Sequence, residues 1–271
     1  MTLHALQYHG GKSVWTYGVG RWIASLLPTD RKVTYAEPYA GMLGVLLNRR
    51  KCASEIVNDL NGRVVNWWLA IRDEPDEYKR LLLLTPYSET LYTEALETLD
   101  EGTSVQRAIK FQLVLMASQS HGDGDQHGGF SVRYKPGSST LAGNMHRLVH
   151  RLDALADRLR DVQLLCRPAV QVLERLEQVS EAVIYCDPPY PDTATNAYAV
   201  VQHDHEATFK SLQRQQGKVA ISGYGDQWDH LGWHRSTHDV QVFGTSGSSA
   251  KPRTEVLWTN YKPVQQIRLA M

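Results

Sequence analysis

Residues 182–190 read Ala182-Val-Ile-Tyr-Cys-Asp-Pro-Pro-Tyr190, and the fold turns on how this stretch is understood. The run from Ala182 to Cys186 has the character of a buried strand, and the paired prolines end it because they donate no ladder hydrogen bond and fix φ. Asp187 therefore stands at a strand's carboxyl end, where open α/β sheets place their ligands. Pro188 and Pro189 stiffen the turn, so the Asp187 carboxylate, the carbonyl beside it and the Tyr190 ring are held at nearly fixed separations. Such a group suits a flat molecule carrying an NH2: the oxygens accept its two N–H bonds while the ring stacks on its face. A turn without chemical purpose is the other reading of these residues taken alone.

Working outward, 271 residues leave room for one large domain or a domain carrying an insertion. Lys plus Arg number 29 and Asp plus Glu 29, so no global basic field marks a nucleic-acid partner, and such binding has to come from a local patch. Cys52, Cys166 and Cys186 are odd in number and lie in apolar surroundings, which fits reduced thiols better than a disulfide framework or a zinc cluster. No stretch approaches the roughly 20 apolar residues that cross a bilayer, and the first residues show no basic region followed by an apolar core. A soluble, cytoplasmic protein without a membrane partner is the expectation.

Upstream, Leu6-Gln-Tyr-His-Gly-Gly-Lys-Ser13 ends like a phosphate loop, but the first glycine of that motif falls at Leu6 and no strand precedes it. What remains is a glycine turn with Tyr8 and Lys12 beside it, then a helical pattern over Ser13 to Leu27 that Pro28 ends. Val33 to Glu37 predicts a strand broken by Pro38. The turn Tyr39-Ala-Gly41 and a helix-like run from Met42 to Asn48 follow, an order found in nucleotide-binding folds, although only Gly41 and Gly44 of a dinucleotide fingerprint are present. Glu55 to Asp59 predicts a second strand. Asp59 lies about 20 residues after the turn, the offset at which an acid reaches ribose hydroxyls. Asp59 and Asn61 capping a helix that begins near Gly62 is a compatible alternative.

From residue 62 to 161 helical patterns dominate: Val64 to Ile71, Tyr78 to Leu84, Ser88 to Leu99, Val105 to Met116 and Asn144 to Leu159. This predicts a helical insertion in an α/β domain. Its middle, Ala117 to Leu141, is rich in Gly, Ser and His, carries Arg133 and Lys135, and reads as an exposed loop or hairpin. Arg107, Lys110, Arg147, Arg151, Arg158 and Arg160 flank it. Each alone fits a solvated helix face, whereas together they form a local basic excess suited to duplex DNA. Beyond the insertion, strands are predicted at Val162 to Cys166, 182–186, Lys218 to Ser222, Val240 to Phe243 and Thr254 to Tyr261, with helices over Ala169 to Leu176 and His205 to Gln215. His203-Asp-His205 with Glu206 opens a helix and lacks a further ligand, so no metal is expected.

Taken together, Tyr8-His-Gly-Gly-Lys12, Glu37-Pro-Tyr-Ala-Gly41, Asn58-Asp-Leu-Asn61 and Asp187-Pro-Pro-Tyr190, in this order with a helical insertion before the last, resemble the Dam-like, D12-class DNA adenine-N6 methyltransferases. The resemblance continues into Ile221-Ser-Gly-Tyr224 and Glu255-Val-Leu-Trp-Thr-Asn-Tyr261. It implies a Rossmann-like methyltransferase domain, residues 1–61 and 162–271, that binds S-adenosylmethionine and releases S-adenosylhomocysteine. It further implies a mainly helical target-recognition domain, residues 62–161. Tyr8, Lys12, Glu37, Tyr39, Gly41, Asp59 and Asp187 take the positions of cofactor-site residues, and Asp187, Pro188 and Tyr190 those that face the target base. Arg133, Lys135 and Arg147 are the candidate DNA contacts. The implied partners are double-stranded DNA and, in some settings, a cognate restriction endonuclease; the implied host is a bacterium or a phage. Arg167 and Pro168 stand where many relatives carry an acid near the cofactor's adenine, and Tyr8 and Tyr39 replace the more usual Trp and Phe. Cytosine-N4 transfer, a small-molecule or RNA acceptor, and an inactive DNA-binding relative are the competing readings.

Overall fold

The computed structural model describes residues 3–6, 8, 11–12, 18–118, 129–132, 141–189, 205–240 and 253–264. Seven strands form one mixed sheet: β1 (Thr34–Glu37), β2 (Ser54–Asn58), β3 (Val162–Leu165), β4 (Ala182–Cys186), β5 (Lys218–Tyr224), β6 (His234–Val240) and β7 (Arg253–Thr259). Their order is β3-β2-β1-β4-β5-β7-β6. The first five run parallel, while β7 is antiparallel to both β5 and β6. The chain moves outward from β1 to β3 and returns on the other side of β1 as β4. The order in which strands are added therefore reverses between the parallel neighbours β1 and β4, the point at which such sheets open a crevice at their carboxyl ends.

Period-two alternation on these strands feeds two apolar layers. Tyr35, Val57, Val183, Tyr185, Ala220 and Leu257 face one side. Ala36, Ile184, Cys186, Val219, Ile221, Val256 and Trp258 face the other, where they meet Val172, Leu173 and Leu176 of α8 (Ala169–Leu176) and Leu212 of α9 (His205–Gln213). β4 is buried along its whole length, which is why its sequence is a continuous apolar run.

The first layer is covered by α1 (Val19–Leu26) and by the helices between β2 and β3: α2 (Gly62–Asp73), α3 (Pro75–Leu84), α4 (Glu89–Glu97), α5 (Ser104–Ala117), α6 (Leu141–His146) and α7 (Leu152–Leu159). Local chemistry sets several of their ends. Asn61 caps α2 by accepting from Arg63 N, Pro75 and Asp76 open α3, and Thr103 with Gln106 forms a capping box on α5. A buried chain of hydrogen bonds, Trp67 Nε1 to Tyr78 OH to Gln112 Oε1 and Gln112 Nε2 to Met145 O, ties α2, α3, α5 and α6. Val64, Trp67, Trp68, Leu115 and Leu155 belong to the same continuous cluster as Tyr35 and Val57 of the sheet.

Several expectations are corrected. Met42 to Asn48 is not an α-helix: Leu43 takes a left-handed φ of 61°, and only a 3-10 turn forms at Leu46–Asn48. Among the described residues the first helix starts at Val19, after a left-handed Gly18, and residues 13–17 of the predicted helix lie outside them. The pattern from Asn144 to Leu159 is broken by a 3-10 segment at Arg147–Arg151, and the penultimate strand lies earlier than expected, at β6. Residues 241–252, which hold the remainder of that predicted strand and its connection, lie outside the described residues.

Arg158 is also corrected. It faces inward from α7 and makes a bidentate pair with Glu55 of β2, Nη1 to Oε2 at 2.5 Å and Nη2 to Oε1 at 2.9 Å. Glu55 is 2 % exposed, so removing the guanidinium leaves a buried, uncompensated carboxylate. Arg158→Ala is expected to lower stability by about 3–5 kcal/mol, read as a fall in the urea midpoint at unchanged slope; a change under about 1 kcal/mol would show that this pair does not hold α7 to the sheet.

Candidate active site

At the carboxyl end of β4, Asp187 is held by Lys12 and Ser222, each backed by a further residue. Lys12 Nζ lies 2.9 Å from both Oδ1 and Oδ2 of Asp187. The same ammonium is 3.3 Å from Glu255 Oε1 on β7. Ser222 of β5 donates to Asp187 Oδ1 at 2.8 Å. Tyr185 OH lies 3.0 Å from Ser222 Oγ, and since the serine's single hydrogen goes to the carboxylate, the phenol is the donor. Burial by itself would lower the Lys12 pKa, but the charges of Asp187 and then Glu255 outweigh it and hold the pKa well above its ordinary value. Lys12 is therefore an ammonium throughout the physiological range. Burial, and then the charge of Asp187, raise the Cys186 thiol, so it is an inert neighbour.

The turn after β1 is stapled from β2 and α2. Asn58 Nδ2 donates to Pro38 O at 2.9 Å, Asp59 Oδ2 accepts from Gly41 N at 2.9 Å, and Trp68 Nε1 donates to Gly41 O at 3.1 Å. Asp59 Oδ1 also accepts from Asn61 N, so helix capping belongs to Asn61 and Asp59 organises the loop that leads into it. Gly41 has φ +47°, and a Cβ there would meet the Tyr8 ring at 3.6 Å. Backbone, an aromatic face and a carboxylate thus line one cradle. Asn61 Nδ2 lies 3.3 Å from Tyr8 OH and links the cradle's two sides. This donor and acceptor set fits a nucleoside-bearing cofactor. Tyr39 reaches α9, its OH 2.8 Å from Thr208 Oγ1.

Glu37 at the end of β1 is turned inward and 1 % exposed. Tyr35 OH donates to its Oε1 at 2.6 Å, and Arg49 stacks 3.5 Å over the Tyr35 ring. Burial pushes Glu37 up to about 7 against the opposing effects of the Tyr35 hydrogen bond and the Arg49 and Arg158 charges. A backbone hydrogen bond from Leu46 also reaches its carboxylate. At the end of β3, Arg167 acts through its backbone: its N donates to Asn58 Oδ1 at 3.1 Å and its carbonyl accepts from Asn58 Nδ2 at 2.9 Å.

Tyr8, Lys12, Gly41, Asp59 and Asp187 are thus described around one crevice. Pro188 is buried beside Asp187. Tyr190, Arg133 and Lys135 lie outside the described residues. Arg147 is exposed on the 3-10 segment before α7. Arg107 and Lys110 donate to backbone carbonyls at the end of α4 and in the loop after it, and Arg107 also to Asn66. Sequence reasoning did not single out Ser222, Glu255, Asn58 or Trp68 as site residues. The available signal was a polar or charged residue embedded in a buried strand, as at Ser222 and Glu255, both under 4 % exposed.

A family model for D12 class N6 adenine-specific DNA methyltransferases matches residues 8–233, which include Asp187, Lys12, Asp59 and the turn at Gly41. The chain belongs to the D12 class N6 adenine-specific DNA methyltransferase family. Membership assigns this methyltransferase to DNA adenine methylation, and its mixed seven-stranded α/β sheet is consistent with a methyltransferase fold. A solved precorrin 8w decarboxylase from Methanobacterium thermoautotrophicum aligns with 94 % of this chain and 98 % of its own at 8 % identity, with a TM-score of 0.39, too low to carry an argument. No curated protein matches the sequence. Among the described residues of this D12-class chain, no helix is long and apolar enough to cross a membrane.

Because the Glu37 pKa is higher folded than unfolded, the folded state binds the extra proton, and stability is lost as pH rises through the window from about 4.5 to 7. Over that window the loss is on the order of 3 kcal/mol. Glu37→Gln should abolish this loss, so the variant gains on the parent with rising pH. Denaturation at pH 5 and pH 8 tests it; parallel pH profiles would reject a buried, titrating Glu37.

Proposed function

We propose that this D12-class enzyme transfers a methyl group from S-adenosylmethionine to N6 of an adenine flipped out of duplex DNA. The observation that carries the reading is the Asp187 carboxylate, fixed by Lys12 and Ser222 at the carboxyl end of β4, beside the Gly41 cradle at the carboxyl end of β1. S-adenosylmethionine supplies an electrophilic methyl group on a positively charged sulfur. Tyr8, Lys12, Gly41 and Asp59 form the side of the crevice that holds this donor, and Asp59 takes the ribose hydroxyls; Tyr39, whose hydroxyl meets Thr208 of α9, and the buried Glu37 lie outside the proposed contacts.

Adenine N6 is a poor nucleophile because its lone pair is delocalised into the ring. Asp187 and the Pro188 carbonyl accept its two N–H bonds, which draws the nitrogen toward sp3 geometry and frees the lone pair for in-line attack. A base inside a duplex is out of reach of any such group, so the nucleotide leaves the stack and rests against Tyr190. The surplus proton leaves the methylated nitrogen to Asp187 or to water. A rigid Asp187 favours this scheme: with Lys12 and Ser222 on its oxygens, the carboxylate is oriented before substrate arrives.

Residues 62–161 are the target-recognition part and residues 1–61 and 162–271 the catalytic part of the proposal. Arg133, Lys135 and Arg147 contact phosphates of the duplex. Arg158, Arg107 and Lys110 are excluded from that role, because their donors serve the fold. A cognate restriction endonuclease and a cytoplasmic location accompany the reading as expectations from the family.

Purified protein incubated with S-adenosylmethionine and unmethylated duplex DNA should yield N6-methyladenine, identified by mass spectrometry of the nucleosides. Asp187→Ala should cut the rate about a thousandfold or more while the fold persists. N4-methylcytosine would overturn the base assignment, and full activity in the variant would overturn the mechanism. Arg133→Ala and Lys135→Ala should each make the salt dependence of DNA binding shallower by about one unit of slope; an unchanged slope removes that residue from the interface.

A further inference from the structure

Arg151 is a half-buried cation that faces another cation. It sits where the 3-10 segment Arg147–Arg151 passes into α7, and its Nε is buried without a hydrogen-bond partner. Its Nη1 meets Nε2 of His4. A guanidinium has no lone pair to offer, so the imidazole accepts and brings no negative charge to the contact. Burial, and then the positive charge of Arg147, lower the Arg151 pKa from its ordinary value. Arg147 lies four residues earlier and is exposed. The acids of α7 are engaged elsewhere: Asp153 lies 4.0 Å from Lys79, and Asp157 lies 2.6 Å from Arg160. Two guanidinium groups thus lie close enough to repel, and among the described residues no carboxylate pairs with Arg151. Such an arrangement is unfavourable in the free protein and is relieved by an anion.

We infer that Arg151, with Arg147 and the N-terminal segment at His4, forms a site for one backbone phosphate of the DNA duplex beside the catalytic crevice. The inference rests on the DNA-methylation reading above and adds to it a position. His4 stands four residues before Tyr8, so the α-carbons of the two are at most about 14 Å apart. A phosphate held there belongs to the DNA around the nucleotide that leaves the stack. The planar fork of Arg151 matches two phosphate oxygens, and the exposed Arg147 stands on the solvent side from which a duplex approaches. The carboxylate of the methyl donor is the competing anion, and a binding measurement separates the two.

The test measures binding of duplex DNA across a salt series for the parent, Arg151→Gln and Arg151→Lys. Urea denaturation of each protein and calorimetry with S-adenosylhomocysteine accompany it. Arg151→Gln should make the slope of log K against log salt shallower by about one unit, while Arg151→Lys keeps the parent's slope. The urea midpoint of Arg151→Gln should hold or rise, because the substitution removes a half-buried charge that the fold leaves unpaired. Binding of S-adenosylhomocysteine should be unchanged. An unchanged salt slope in Arg151→Gln overturns the inference, and weaker S-adenosylhomocysteine binding in that variant assigns the anion to the cofactor instead. A lower urea midpoint that Arg151→Lys restores also overturns it, since the charge then serves the fold. In each of these cases N6-methyladenine from the parent keeps the methyl-transfer reading, whereas a parent that binds no duplex overturns both.

Discussion

The ammonium of Lys12 is the contact on which the active crevice depends. It joins three pieces of chain that are far apart in sequence: the glycine turn before α1, the end of β4 and the antiparallel strand β7. Burying an ammonium without partners is prohibitive, and burying two carboxylates without a cation is worse. Pairing offsets the cost of burying each of the three charges, so the cluster ties the three pieces of chain together. Ser222 and Tyr185 extend it into β5 and β4, which leaves the Asp187 carboxylate little freedom to rotate. A site that is rigid before ligand arrives needs no reorganisation at the moment of reaction.

The turn after β1 is built on a different economy, that of backbone groups. A loop that approaches a ligand closely cannot satisfy its own donors and acceptors by regular pairing. Here side chains do it instead: Asn58 for Pro38, Asp59 for Gly41 N, and Trp68 for Gly41 O. Ala40 N reaches across to Asn58 O as well. With both ends fixed, the chain tolerates Leu43 in a left-handed conformation, a strain on the order of 1 kcal/mol. The same strain ends any helix that Met42 to Asn48 would otherwise begin.

This difference marks what could be read in advance. The strands at 34–37, 54–58 and 182–186 and the helix at 169–176 carry periodic apolar stripes, which record local burial directly. Asp187 was legible because prolines fix the end of its strand. The turn at Gly41 was legible in its glycine and opaque in its continuation, since the staples on it come from β2 and α2. Arg158 looked like part of a solvated face because a charged residue on an amphipathic helix gives no sign of a buried partner. Glu55, about a hundred residues away, was that partner. Glu255 was opaque for the same reason: its position on a buried strand was visible, while the identity of the cation facing it was not.

The helices between β2 and β3 are joined to the catalytic sheet by more than chain connection. Trp67 and Trp68 of α2 lie in one apolar cluster with Tyr35 and Val57, and Arg158 of α7 is paired with Glu55 on β2. Trp68 does two things at once, because its indole packs in that cluster while its N–H holds the carbonyl of Gly41. The outer surface of these helices is thereby linked to the cradle through a few side chains. In the proposed reaction the base has to reach a fixed carboxylate from a duplex bound elsewhere. A hinge between the two parts would blur that distance, whereas a shared core keeps it constant. The helices between β2 and β3 are therefore best understood as a second wall of the same core.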